Sequence, residues 1–298
     1  FPNSMGFKMQ DSTKGVLAII IAATIWGLAP IYYNLLTHVP PFELLAHRTL
    51  WSFIFFALVL MYQNRLAEVW QAVFRLNEAR AIFIASFLIA INWYFFIHSV
   101  QTGQATEASL GYFMMPLVSV FWGLLIFKEN LSICQWLAVG LAALAVIVLT
   151  YGLGVPPWIA LTLSTSFSFY GVIKKRLATR PTVTVTVEVL FLSPIALCIL
   201  AYYHGWIGGH FGGDGWTSFL LTLSGPLTAT PLILFSYAAR RIKLSTVGIL
   251  QYINPSLQFI CATLILVEPL TMWHAIAFPM IWIALVLYSV VSLYSRRA

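Results

Sequence analysis

Ten apolar stretches, parted by short polar breaks, account for most of this chain and leave it a single solvent for most of its surface. A helix that crosses a bilayer needs about 20 predominantly apolar residues, because each residue advances only about 1.5 Å through hydrocarbon about 30 Å thick. The stretches run Lys14–Leu36, Pro41–Tyr62, Ala81–Val100, Ala105–Phe127 and Leu131–Tyr151, then Pro156–Leu177, Thr182–Tyr203, Gly215–Ala239, Leu244–Val267 and Leu270–Tyr294. Only 8% of the residues are charged, against roughly 25% in a soluble domain, too few to cover a water-facing surface. The expected fold class is therefore an all-α polytopic membrane protein with ten transmembrane helices. Turn chemistry at His38-Val39-Pro40-Pro41, Thr102-Gly103, Gly152-Leu153-Gly154 and Gly205 through Gly215 marks breaks between them.

The basic residues orient this arrangement. With the N-terminus in the cytoplasm, the cytoplasmic segments hold Lys8, Lys14, Arg65, Arg75, Arg80, Lys128, Lys174, Lys175, Arg176, Arg180, Arg240, Arg241, Lys243, Arg296 and Arg297. The outer loops hold none, and the remaining cation, Arg48, falls inside the second helix. This asymmetry is the positive-inside pattern, and it places both termini in the cytoplasm of a bacterial cell with the chain in the inner membrane. The net charge of +7 is dispersed through these loops, so nucleic acid is not an expected partner. Cys134, Cys198 and Cys261 lie apart in apolar segments and suggest neither a disulfide framework nor a metal site. The run from Val16 is long enough to stay as a span rather than be removed as a signal. Residues 1–13 are set aside as a tail, its first four residues as foreign to the natural chain. Between Asn64 and Arg80, Leu66, Val69, Trp70 and Val73 recur at helical spacing, compatible with an amphipathic surface helix or with a solvated loop.

An internal repeat underlies the order of helices. A shift of 139 residues pairs Phe96 with Phe235, Thr106 with Ser245, Leu110 with Ile249, Pro116 with Pro255, Glu129 with Glu268 and Leu131 with Leu270; a shift of 145 pairs Glu43 with Glu188. The domains expected are a first repeat over residues 14–151 and a second over 152–298. Five helices are an odd number, so the second repeat enters the membrane from the opposite side, an arrangement typical of transporters.

Four motifs carry a family likeness: Ile25-Trp26-Gly27-Leu28-Ala29-Pro30-Ile31-Tyr32, Pro40-Pro41-Phe42-Glu43-Leu44-Leu45-Ala46-His47-Arg48, Glu107-Ala108-Ser109-Leu110-Gly111-Tyr112-Phe113 and Leu250-Gln251-Tyr252-Ile253-Asn254-Pro255. They resemble the RarD-like branch of the EamA family, within the drug/metabolite transporter superfamily, from about Gly15 to Tyr288. The resemblance implies ten helices with a cavity between helices one to four and six to nine. Its YddG-type relatives export amino acids, so the resemblance also implies export of small metabolites.

Candidate residues follow from helix faces. Ser109, Tyr112, Pro116 and Ser119 share one face of helix four, and the repeat carries that face to Gly248, Gln251, Pro255 and Gln258 of helix nine, with Asn254 beside it. Polar groups facing lipid are costly, so both faces are expected to turn inward. Gln251 and Asn254 are expected to hold the polar end of a substrate, within a cavity walled by Trp26, Asn92, Trp93, Tyr112 and Tyr252. Pro116 and Pro255 are expected to break their helices near the midplane. Glu43, His47 and Arg48, with His98 and Glu107, form a candidate ion-pair or proton network, or else a cluster that fixes packing. No mid-membrane acid is available to balance a permanent cation, so a zwitterionic or neutral amphipathic substrate is expected, amino acids first and multidrug efflux as the alternative. Neither a metal nor a cofactor is expected, and no nucleophile–base pair suggests an enzyme. A passive facilitator is the rival class, and oligomeric state is left open. A cysteine at Gly212 should react with an impermeant maleimide in intact cells and one at Thr179 should not; the reverse labelling would overturn the ten-helix arrangement.

Overall fold

The computed structural model describes residues 3–127, 132–154, 156–239, 241–242, 247 and 250–294. Among them every regular element is helical. In chain order these are α1 (Asn3–Gly27), α2 (Ala29–Asn34), α3 (Pro41–Tyr62), α4 (Leu66–Phe74), α5 (Leu76–Gln101) and α6 (Ala105–Phe127). Then come α7 (Ile133–Leu153), α8 (Trp158–Arg176), α9 (Pro181–Tyr202), α10 (Gly215–Ala239), α11 (Ile253–Ile260) and α12 (Met272–Tyr294). Single π-helical turns, Tyr203–Ile207 and Cys261–Ile265, extend α9 and α11.

Eight helices among the described residues are long and apolar enough to cross a membrane, and the stretch Ile253–Ile265 is a shorter apolar helix. α8 is diluted by Lys174, Lys175 and Arg176 in its last turn, where cations complement the helix dipole. The first apolar window is two helices, not one. Pro30 supplies no N–H and its ring crowds the turn before it, so the chain kinks at Leu28 and restarts as α2. The segment after α3 forms the amphipathic α4, with Val69 and Ala72 buried and Trp70 and Phe74 exposed. Arg65, paired with Glu68 at 2.8 Å, draws that carboxyl below its usual range.

Helix ends are tied down by side chains. Ser132 and Gln135 form a capping box at α7. The Thr217 N–H donates to Asp214 at 2.8 Å, starting α10 and holding the Asp214 carboxyl below its ordinary value. Glu268 accepts from the N–H groups of Ala105 and Thr106, both at 2.7 Å, so a carboxylate near the start of α12 caps α6. Glu129, its partner in the internal repeat, lies outside the described residues. Glu107 accepts at 3.0 Å from the Ile159 N–H in the first turn of α8.

α6 packs on α8, α7 on α12, α3 on both α9 and α10, and α1 on α10 and α11. Two of these contacts are backbone-close. A Cβ at Gly111 would lie 2.8 Å from the Ala160 carbonyl oxygen, and one at Gly225 would lie 2.5 Å from the backbone of Trp51. Gly212 adopts φ +87, so the neighbouring Gly213, with an unstrained backbone, is the better carrier for a cysteine label. Because α3 and α10 would have to part, Gly225→Ala should destabilise the protein by about 1–3 kcal/mol. Gly140→Ala, where an added methyl meets nothing within 4 Å, should leave the unfolding temperature unchanged or raised.

Candidate functional site

A cavity of about 570 Å³ lies between α1, α2, α3, α5, α6 and α8 through α11. Trp26, Asn92, Trp93, Tyr112, Gln251 and Asn254 all border it. Tyr252 does not: it packs beside Phe259 and Tyr288 against α12. Gln251 and Tyr252 form a turn ahead of α11, and the two side chains leave it towards different neighbours.

The polar residues fall into two kinds. Asn92, fully buried on α5, donates from Nδ2 to the Leu163 carbonyl at 2.9 Å and to Ser166 at 3.2 Å, and its Oδ1 accepts from the Tyr112 hydroxyl at 3.0 Å. It is a knot tying α5, α6 and α8 together. On α11, Gln258 donates to Asn254 Oδ1 at 2.9 Å and to the Trp26 carbonyl at 3.4 Å, while its own Oε1 is buried without a partner. Gln251 lines the cavity with no side-chain hydrogen bond among the described residues.

The expected cluster on α3 is dispersed. Glu43 accepts from the His210 N–H at 2.7 Å and lies 2.8 Å from its Nδ1, pinning the loop between α9 and α10. His47 stacks on Phe211, ring centroids 5.0 Å apart, and His98 stacks on Tyr94. Glu107 is committed to α8. Arg48 turns away from all of them, into the cavity wall, where Nη1 donates to the Tyr33 hydroxyl at 2.6 Å and Nε to Thr228 at 2.9 Å. Residues five apart diverge by more than a quarter turn, so Glu43 and Arg48 meet different neighbours. Pro116 does not break its helix: α6 runs through it, and the Met115 carbonyl accepts from Ser168 across the interface at 2.9 Å. Pro255 sits in the first turn of α11, where a missing N–H costs little, just after a turn at Gln251–Tyr252.

Glu188 also borders the cavity, paired with Lys174 at 2.6 Å and receiving the Tyr170 hydroxyl at 3.0 Å. The match of Glu43 with Glu188 singles it out in the sequence but says nothing of the cavity. Tyr33 and Thr228, the partners of Arg48, carry no sequence signal, since neither stands near it along the chain.

The model of the EamA-like transporter family matches residues 13–151 and 157–290. The chain belongs to this family. It is 39% identical to "Uncharacterized transporter YojE" of Bacillus subtilis, with 97% of each chain covered. It is 36% identical to "Protein RarD" of Escherichia coli over 97% of this chain and 98% of that one. "Chloramphenicol-sensitive protein RarD" of Pseudomonas aeruginosa is 28% identical, with 94% of each covered. A solved crystal structure shares the fold at a TM-score of 0.60 and 16% identity, covering 94% of this chain and 98% of the other. An EamA chain is a multi-pass membrane transporter, and the apolar helices described above are its spans. Because the Asn92 side chain is bonded to three protein groups and that of Gln251 to none among the described residues, Asn92→Ala should cost about 1–3 kcal/mol of stability. Gln251→Ala should leave thermal unfolding of the purified protein nearly unchanged.

Proposed function

We propose that this EamA protein is a secondary transporter that exports small metabolites across the bacterial inner membrane by alternating access. Its substrates are amino acids and similar zwitterionic or neutral amphipathic molecules. The observation that carries this reading is the central cavity: it has the size of a small-molecule site, aromatic walls and few polar groups. Its borders are drawn from nearly every helix of both halves, so closing it on one side requires the halves to move against each other.

Ten spans in two inverted repeats, with both termini in the cytoplasm, belong to the same proposal. Exchanging the first five apolar windows for the second five turns the α6–α8 contact into α11–α1, α1–α10 into α8–α5 and α3–α10 into α9–α5, and each of these packs. The contacts α3–α9, α6–α11 and α7–α12 map onto themselves. The two stretches matched by the family model support the same division. In this arrangement α8 and Ile253–Ile265 supply the two spans that length and hydropathy alone pass over.

Amphipathic-drug efflux is the second reading, favoured by the name of the chloramphenicol-sensitive relative and by the aromatic wall. Purified protein in proteoliposomes, offered a panel of amino acids and drugs, should show uptake accelerated by substrate on the far side, which a passive facilitator would not show. Gln251→Leu should lose most of that transport while unfolding at the wild-type temperature, Asn254→Leu should lose it with a modest drop in unfolding temperature because its Oδ1 accepts from Gln258, and Gln71→Leu on the exposed face of α4 should keep it. Movement of ethidium without any amino acid would replace the substrate class.

A further inference from the structure

Two charged side chains border the cavity, and they are not equivalent. Glu188 is neutralised by Lys174. Arg48, only 6% exposed, has no carboxylate partner among the described residues. Its contacts are a hydroxyl from Tyr33, a hydroxyl from Thr228 and the face of Trp93, 4.2 Å from the guanidinium carbon. These neutral groups hold the plane of the guanidinium without cancelling its charge. A guanidinium carries five N–H donors, and the two hydrogen bonds engage two of them. The remaining donors form a fork of the shape that takes a carboxylate in two parallel bonds. A buried cation held only by neutral partners is a costly arrangement in a membrane interior, and it marks a place where a mobile anion completes the charge balance. Elsewhere on the wall Gln251 and Asn254 are neutral amides, so a substrate N–H finds a neutral partner there but no counter-charge.

We propose that Arg48 is the carboxylate anchor of the cavity. A substrate must then carry a carboxylate on an apolar body, with or without an ammonium group, which keeps the amino acids of the proposed function and drops its neutral molecules. The inference rests on reading this cavity as the transport site, and it deepens that reading by naming the group recognised.

The test uses four probes on one phenylethyl body: 3-phenylpropionate, L-phenylalanine, 3-phenylpropionamide and phenethylamine. Binding to the purified full chain is followed by thermal unfolding and by tryptophan fluorescence, with Trp93→Phe identifying the signal from the ring beside Arg48. Phenylpropionate and phenylalanine should bind comparably. The amide and the amine should bind about tenfold or more weaker, the scale of one charge-assisted hydrogen bond. Arg48→Gln should erase the preference for acid over amide, and Arg48→Lys, which keeps the charge but not the fork, should retain part of it. The ranking on the unmodified protein stands as a test even where a variant fails to fold. Amide or amine binding as tight as the acids, a folded Arg48→Gln that still prefers acids, or no binding by any probe would each overturn the proposal. Acids that bind yet are not moved in proteoliposomes would uphold the anchor and sink the transport reading. Transport without preference for acids would do the opposite.

Discussion

Buried carboxylates that reach across the chain to backbone amides hold this bundle in register. A helix begins with N–H groups that have no partner within it, and in lipid no water can replace one. Glu268 takes two such groups of α6, a helix that starts 163 residues earlier in the chain, and Glu107 takes two from α8. Glu43 does the same for the loop at His210. Lipid tails are as apolar as leucine, so burial drives helices together far less than it does in water. Polar clasps of this kind, with backbone-close contacts at Gly111 and Gly225, carry much of the specificity instead.

Held in this way, the bundle can leave its centre unfilled. The polar atoms around the cavity divide cleanly between those satisfied by protein and those left open. Asn92 belongs to the first class, with all its bonds made to α6 and α8, while Gln251 and the Oε1 of Gln258 belong to the second. An unsatisfied buried acceptor costs stability unless something binds it, and under the proposed function it is at the second class that a substrate would repay what folding leaves unpaired.

Hydropathy and the distribution of lysine and arginine make the apolar windows legible, because lipid imposes one length and one composition on each of them. Inward faces are legible in part: of the residues whose spacing assigns them to a common face, Tyr112, Gln251, Asn254 and Gln258 border the cavity, whereas Ser109 bonds to the Pro255 carbonyl and Ser119 to Ser168, and neither they nor Pro116 and Pro255 line it. Contacts between distant segments are not. Glu43, His47 and Arg48 stand together on one turn of sequence, yet each is claimed by a partner from another part of the chain. His210, Phe211 and Thr228 take them, and no spacing rule names those residues. Pro30 shows the opposite failure: the signal for a break is present, but an unbroken apolar run conceals it.

That break changes what the first span can tolerate. A regular membrane helix shows lipid a broad stripe, along which one apolar residue can replace another with little effect. Between Ile25 and Leu35 only Gly27, Pro30 and Asn34 stay off the cavity wall. Gly27 is itself wedged against Leu257, and Pro30 makes the kink. Scarcely a position in this stretch is free to drift, so a few turns of sequence at the start of the chain carry information that a straight helix would spread over several spans.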